Sequence, residues 1–248
     1  MNQESHQYLK MKEAQIIKGE GKVKIRENTT ETADQTLILD QATIDRRVFY
    51  RSGKRIFDFI TSLLALIVLI PVFLIIAIAI KADDPKGGIL YSQKRIGRNG
   101  RPFKMFKFRS MQADADKRLN QLLKYNEIEG AMFKMKDDPR ITRVGRVIRK
   151  YSLDELPQLL NVVLGNMALV GPRPPLEREV NKYTDYDKQR LMVVPGCTGL
   201  WQVTGRNELD FSEMVDLDIS YIQKSSFHYD IWIMVRTVWI MVHPNQAY

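Results

Sequence analysis

The stretch FDFITSLLALIVLIPVFLIIAIAIK, Phe57 to Lys81, decides how the rest of the chain is read. From Phe59 to Ile80 it runs for 22 residues without a charge, and only Thr61 and Ser62 are polar. An apolar run of ~18 residues or more is a membrane signal. It begins more than fifty residues into the chain and no small-residue cleavage pattern follows, so it does not read as a secretory signal. Pro71 interrupts it. The proline ring clashes with the carbonyl four residues back and brings no N–H, so a kink is expected. The flanking fragments, Ile56–Ile70 and Val72–Ile80, would be roughly 22 Å and 14 Å long at ~1.5 Å per residue. Neither spans a hydrocarbon core of ~30 Å.

Both flanks are basic. Arg46, Arg47, Arg51, Lys54 and Arg55 precede the run; Lys81, Lys86, Lys94, Arg95, Arg98 and Arg101 follow it. Lys/Arg-rich flanks stay on the cytoplasmic side. The simplest solution is a re-entrant helix over 56–80, broken at Pro71, that dips into one leaflet and returns. The alternative is a spanning helix with a tolerated proline kink. The aromatic C-terminal stretch FHYDIWIMVRTVWIMVH reads either as a helix lying in the interface or as a plain core helix.

The 248 residues, 44% hydrophobic, suit one domain with an appendage, and the formal net charge of +9 calls for an anionic partner. Nucleic acid is disfavoured by the membrane segment and by the lack of a recognisable binding motif. Phosphorylated ligands and anionic membrane lipids remain. The single cysteine, Cys197, excludes an internal disulfide framework and a cysteine-rich zinc site. His6, His228 and His243 are scattered without ligand spacing, which argues against zinc and histidine chemistry.

Residues 1–50 read as a polar, partly disordered N-terminal extension with a short strand near Val23 to Ile25. Residues 89–110 alternate apolar and basic around Asn99-Gly100, a hairpin signature. Helices are expected over 112–128, Arg143 to Lys150, Leu156 to Leu164, 175–193, 211–223 and the C-terminal stretch. ALVGPRPP reads as a short strand and a rigid loop, and VPGCTGLWQVTGRNEL as loop and strand. The fold class is therefore α/β and helix-rich, with a small sheet.

Three adjacent acidic pairs occur: Asp83-Asp84, Asp137-Asp138 and Asp154-Glu155. The first two precede prolines and read as turn chemistry. The third follows the basic helix RVGRVIRK and opens an apolar one. Carboxylates among arginines form a poised site for phosphate and a divalent cation. A carboxylate can also serve as a nucleophile and split one phosphoryl transfer into two. SLDE, Ser152 to Glu155, equally fits a helix capping box. With Ser152 as cap, Pro157 falls beyond the first turn; with Asp154 as cap it fits. Both registers stand open. GPRPP fixes one guanidinium, Arg173, in a rigid loop, and TGRNE offers Arg206.

Together KRIFDF, the proline-broken segment, RIGRNGRPFKMFKFRSM, RVIRKYSLDELPQLLNVVLGNMALVGPRPP and PGCTGLWQVTGRNELDF resemble the bacterial sugar transferases, the polyprenyl-phosphate hexose-1-phosphate transferases or monotopic phosphoglycosyl transferases. The resemblance covers residues 54 to the C-terminus and leaves residues 1–50 outside. It implies a transferase domain over 51–248. The implied reaction moves a sugar-1-phosphate from a UDP-sugar to undecaprenyl phosphate and releases UMP. This is the first membrane step of exopolysaccharide, capsule or O-antigen assembly, at the cytoplasmic face of the bacterial inner membrane. Asp154 would be the nucleophile that carries the phospho-sugar, and Glu155 would assist with Mg²⁺ held by the same two carboxylates. Lys107 and Arg109 in FKFRS, Arg149, Arg173 and Arg206 would bind substrate. A homo-oligomer is left open. The donor is expected to be a hexose, glucose or galactose; an N-acetyl-sugar donor, or a non-catalytic membrane-bound scaffold, are the alternatives.

Overall fold

The computed structural model describes residues 39–122, 135, 137–205 and 209–243. The strand expected near Val23 to Ile25 and the far end of the helix expected over 112–128 lie outside the described residues, as does Arg206.

The chain enters through α1 (Gln41–Arg46), whose N-terminal amides donate to the Asp40 carboxylate. Then α2 (Val48–Val68) and α3 (Ile70–Asp83) carry the apolar run and meet at 61°. The break falls at Leu69, just before Pro71, which sits in the first turn of α3. There the missing N–H leaves nothing unsatisfied, because first-turn amides have no intrahelical acceptor. By length and composition no single described helix crosses a membrane; the bent pair passes that test together. Outward faces are apolar: Phe49 is 95% exposed, and Leu64, Val68, Ile75 and Ile78 also face outward.

The hairpin appears as expected. Strand β1 (Leu90–Ile96) pairs antiparallel with β2 (Pro102–Phe108), and the turn uses Asn99 at φ 56° and Gly100 at φ 74°. Positive φ at both positions is what Asn-Gly supplies most easily. Helix α4 (Ala115–Leu122) leads out of the hairpin, and α5 (Arg143–Lys150) begins under a Thr142 cap. Next come a 3₁₀ turn (Leu153–Glu155), α6 (Gln158–Val163) and β3 (Ala168–Val170). Strand β3 runs parallel to β4 (Gly196–Thr198) in a two-residue-pair ladder.

Two expectations fail in this half. The single helix expected over 175–193 is three short pieces: α7 (Glu177–Val180), α8 (Asp185–Lys188) and a 3₁₀ turn (Gln189–Met192). Thr184 and Asp187 form a capping box that restarts the chain. The segment after β4, expected as loop and strand, forms a short helix, α9 (Leu200–Thr204), whose Leu200, Trp201 and Val203 are buried. Helices α10 (Phe211–Lys224) and α11 (Phe227–Val242) close the chain.

The main core gathers Met105, Val162, Met167, Val170, Tyr221 and Ile233 from β2, α6, β3, α10 and α11. A smaller cluster of Ile76, Ile80, Phe108 and Ile148 ties α3 to β2 and α5. Thus the end of the apolar helix pair is fixed to the two elements that lead into the acidic pair.

Candidate active site

Helix α5 is seated by contacts on both sides. The Thr142 hydroxyl accepts from Gly145 N at 2.9 Å, and the Asp83 carboxylate at the end of α3 accepts from Val144 N at 2.9 Å. Gly145 lies so close to the hairpin exit that a Cβ there would sit 1.9 Å from the Ser110 carbonyl oxygen. The helix ends at Tyr151, and Ser152 then turns the chain with φ 55° and ψ 21°. A non-glycine residue in that region is uncommon and marks a locally over-determined turn. Neither capping register survives. The Ser152 side chain makes no cap bond, Asp154 lies inside the 3₁₀ turn, and Pro157 is the residue preceding α6. The left-handed turn leaves both acidic side chains uncommitted to helix capping.

Asp154 is buried, and burial is the main reason its carboxyl is pushed up to about 6; Lys107 opposes the shift, Glu155 adds to it and Arg149 opposes it. Glu155 differs. Burial alone would raise it, yet Lys107, Arg173 and Arg95 hold its carboxyl below the ordinary value. The Lys107 ammonium donates to Glu155 Oε1 at 2.5 Å. Two neighbouring carboxylates thus have environments that push them apart.

Lys107 comes from β2, and its register is set by Asn161 of α6. The fully buried Asn161 amide accepts from Phe106 N at 2.9 Å and donates to the Lys104 carbonyl at 2.7 Å. Arg173 comes from the loop after β3. Its guanidinium is braced by the buried Glu179 at 3.4 Å, whose carboxylate also accepts from Leu176 N at 2.8 Å. Two glycines allow that loop to pass close to β4: a Cβ at Gly196 would lie 2.1 Å from Gly171 N.

Lys107, Glu155, Arg173, Arg95, Gln158 and Cys197 line one narrow cleft of about 30 Å³. Burial and the Glu155 charge push the Cys197 thiol up, so it is a neutral wall. Arg95 is a residue that the sequence reading used only for its charge. It is buried, donates to the Pro174 carbonyl at 3.0 Å and to Gln93 Oε1 at 2.7 Å, and burial lowers it to about 9. The available signal was alternation: Tyr91, Gln93 and Arg95 share the more buried side of β1, and a cation there needs a reason.

Arg149, in the last turn of α5, lies near enough to Asp154 to stabilise its charged form. Arg109 is placed elsewhere. It pairs with Asp84 through Nη1, and Nη2 donates to the Asp84 carbonyl at 2.6 Å. The first acidic pair therefore bolts the end of α3 to α5 through Asp83 and, through Asp84, to Arg109 just after β2. The second is a structural turn: Asp138 accepts from Arg140 Nη2 at 2.5 Å and from Arg140 N at 3.0 Å.

Mg²⁺ prefers oxygen ligands and is commonly held by one or two carboxylates plus substrate phosphates. Two adjacent carboxylates, Glu155 in the cleft wall and Asp154 next to it in the chain, fit that donor set. Among the described residues no cluster of three acidic, His or Cys ligands exists, so substrate and water oxygens would have to complete the shell.

A family model described as bacterial sugar transferase matches residues 49–244. Galactosyl transferase CpsE of Streptococcus agalactiae is 45% identical over 191 residues, 77% of this chain and 42% of that protein. Exopolysaccharide production protein ExoY of Sinorhizobium fredii is 41% identical over 215 residues, 85% of this chain and 95% of ExoY. Undecaprenyl-phosphate galactose phosphotransferase of Salmonella typhimurium is 42% identical over 199 residues, 79% of this chain and 41% of that protein. The chain thus spans less than half the length of CpsE and of the Salmonella transferase, and nearly all of ExoY. With its family match running through both strands of the hairpin, the acidic pair and the GPRPP loop, this chain belongs to the bacterial sugar transferase family.

Proposed function

We propose that this protein is an undecaprenyl-phosphate sugar-1-phosphate transferase that works in two displacement steps on Asp154. The observation that carries the reading is the buried Asp154 next to Glu155, whose Lys107-paired carboxylate lines a cleft together with Arg95 and Arg173. In the first step an Asp154 carboxylate oxygen attacks the β-phosphorus of a UDP-sugar. The bond from that phosphorus to the oxygen bridging to the α-phosphate breaks, and UMP leaves with that oxygen. In the second step an oxygen of undecaprenyl phosphate attacks the same phosphorus. The Asp154 oxygen–phosphorus bond breaks, and the carboxylate is restored with the sugar on a lipid diphosphate.

Asp154 must be ionised to attack, and a carboxyl near 6 is ionised at neutral pH. Arg95 and Arg173 would hold phosphate oxygens, with Arg173 fixed beforehand by Glu179. Lys107 keeps Glu155 ionised and aimed at the cleft. Asp154 and Glu155 would hold Mg²⁺, which supplies charge neutralisation between two anionic substrates. The names of the relatives favour a hexose donor, since CpsE is named a galactosyl transferase and the Salmonella protein a galactose phosphotransferase.

The same reading places α2 and α3 as a re-entrant pair at the cytoplasmic face of the bacterial inner membrane. Its support is the 61° bend, the basic flanks and the apolar outward face. Helix α11 adds Trp232 and Trp239 on an exposed side opposite the buried Ile233. The test is UMP release by purified protein from a panel of UDP-sugars with undecaprenyl phosphate and Mg²⁺. Release from one hexose donor supports the reading. No release from any donor, by folded and lipid-bound protein, overturns it.

A further inference from the structure

A second cavity, of about 600 Å³, lies at the start of the apolar helix pair and shares no lining residue with the acidic cleft. That volume is within the ~300–1,000 Å³ of ordinary ligand pockets. Its apolar walls include Val48 and Ile56 of α2, Met167 and Val170 around β3, and Val193 and Ile222. Its polar wall is mostly cationic, with Arg47, Arg51, Lys54, Arg55 and Arg98 against one lining carboxylate, Asp58.

The partners of those cations are uneven. Arg51 and Arg98 share the single Asp45 carboxylate, at 2.5 Å and 2.7 Å. Lys54 pairs with Asp230 at 3.0 Å and with Asp58 at 3.4 Å. Among the described residues Arg55 donates to the Val162 and Val163 carbonyls alone, at 2.5 Å and 2.9 Å. Arg47 donates to the Gln223 carbonyl at 2.9 Å, to the Ile222 carbonyl at 3.5 Å and to the Ser225 hydroxyl at 3.2 Å. Among the described residues five cations thus face three carboxylates, an excess of two. The excess falls on Arg47 and Arg55, which cap the ends of α10 and α6 and keep further N–H donors.

An apolar hollow with surplus cationic charge at its wall is complementary to an amphiphile with an anionic head. Its position points to the source. Phe49, between the cavity residues Val48 and Tyr50, is almost fully exposed, and the apolar outward face of α2 continues from there. We propose that this cavity binds one anionic phospholipid of the surrounding bilayer, with its phosphate against Arg47 and Arg55 and the upper part of its chains over Val48 and Ile56. The inference rests on the re-entrant reading of α2 and α3. The acceptor lipid is disfavoured as occupant, because its phosphate has to reach Asp154 beside the other cleft.

The test uses the full chain in nanodiscs of phosphatidylcholine doped with phosphatidylglycerol, with retained lipid counted by native mass spectrometry. Vesicle flotation is read in parallel. Wild type should retain one phosphatidylglycerol, and the Arg47→Gln/Arg55→Gln variant should lose retention at least tenfold while still floating. The Arg47→Lys/Arg55→Lys variant should keep most of it. Val193→Trp, which fills the hollow without touching a charge, should lose it while circular dichroism stays unchanged; this arm guards against misfolding of the arginine variants. Retention unaltered in both the Gln variant and Val193→Trp would overturn the inference, as would stoichiometric displacement of the phospholipid by undecaprenyl phosphate. Wild type that fails to float would overturn the re-entrant reading itself, whereas wild type that floats and keeps no phosphatidylglycerol sinks only the lipid site.

Discussion

Asp154 is asked to be charged in a place that resists charge. Its carboxyl is raised to about 6 mainly by burial, so the folded protein holds the proton more tightly than the unfolded chain does. The stabilisation from that proton is complete below the ordinary value of 3.8 and is lost as pH rises through about 6. Asp154→Asn cannot lose it. In metal-free buffer at pH 7.5 the variant should melt above wild type, and the gap should close near pH 4, as read by calorimetry across pH. Its turnover should fall by at least ~10³-fold, because a neutral amide replaces the anionic carboxylate nucleophile. For wild type, kcat should drop as pH falls below about 6, where the nucleophile becomes protonated. Arg95→Gln should raise KM for the UDP-sugar and lower kcat by ~10-fold or more, the loss expected for one phosphate clamp. At this scale much of the candidate cleft was legible. Lys107, Glu155 and Arg173 line it, with Asp154 and Arg149 beside it; the acidic pair after a basic helix and Arg173 in its rigid loop stand out in the residues themselves, whereas Lys107 and Arg149 came only through the family resemblance. Arg95 was missed as a site residue because its burial depends on which side of the hairpin meets the GPRPP loop, a tertiary fact. Arg109 was legible as a cation, and its Asp84 partner lies 25 residues away.

At the scale of elements, the hairpin and α6 are held in register by one side chain. Asn161→Leu removes both of its bonds to β2 and leaves the Phe106 N–H and the Lys104 carbonyl without that partner. It should cost at least about 2 kcal/mol of stability and disturb the Lys107–Glu155 pair; denaturant unfolding and kcat should both report it. Gly145→Ala should prevent accumulation of folded protein, since its Cβ has no room against Ser110. Most described elements were readable from periodicity and turn chemistry: the hairpin, α5, α10 and α11 fall where they were expected. The failures are local. The chain over 175–193 has helical composition throughout, but Thr184 and Asp187 cap a new start in its middle. Helix α9 is five residues long, too short for a period to show, and burial of Trp201 in the folded chain selects it. The 3₁₀ turn at Leu153–Glu155 depends on Ser152 adopting positive φ, which nothing in SLDE signals.

For the whole molecule, the proline-broken helices and the acidic cleft form one device. Asp83 and Asp84 tie the end of α3 to α5 and to Arg109 just after β2, so the elements that carry Arg149 and Lys107 are anchored to the apolar pair. This geometry suits an enzyme whose lipid phosphate stays at the interface. Cysteines introduced at Arg46 and at Lys86, both exposed, on a Cys197→Ala background should both react with a membrane-impermeant maleimide from the cytoplasmic side. Labelling of the two from opposite sides would instead identify a spanning helix. The bend was readable from Pro71 and its flanks. Its angle was not, because it depends on how α3 packs against Phe108 and Ile148.

The central claim is a covalent phospho-sugar on Asp154. Its most direct test is peptide mapping by mass spectrometry after incubation with the active UDP-sugar and Mg²⁺ in the absence of acceptor. The account predicts a hexose phosphate on the peptide that contains Asp154, formed in step with UMP and discharged when undecaprenyl phosphate is added. Sustained turnover with no adduct at that position, or turnover unaltered in Asp154→Asn, would contradict it.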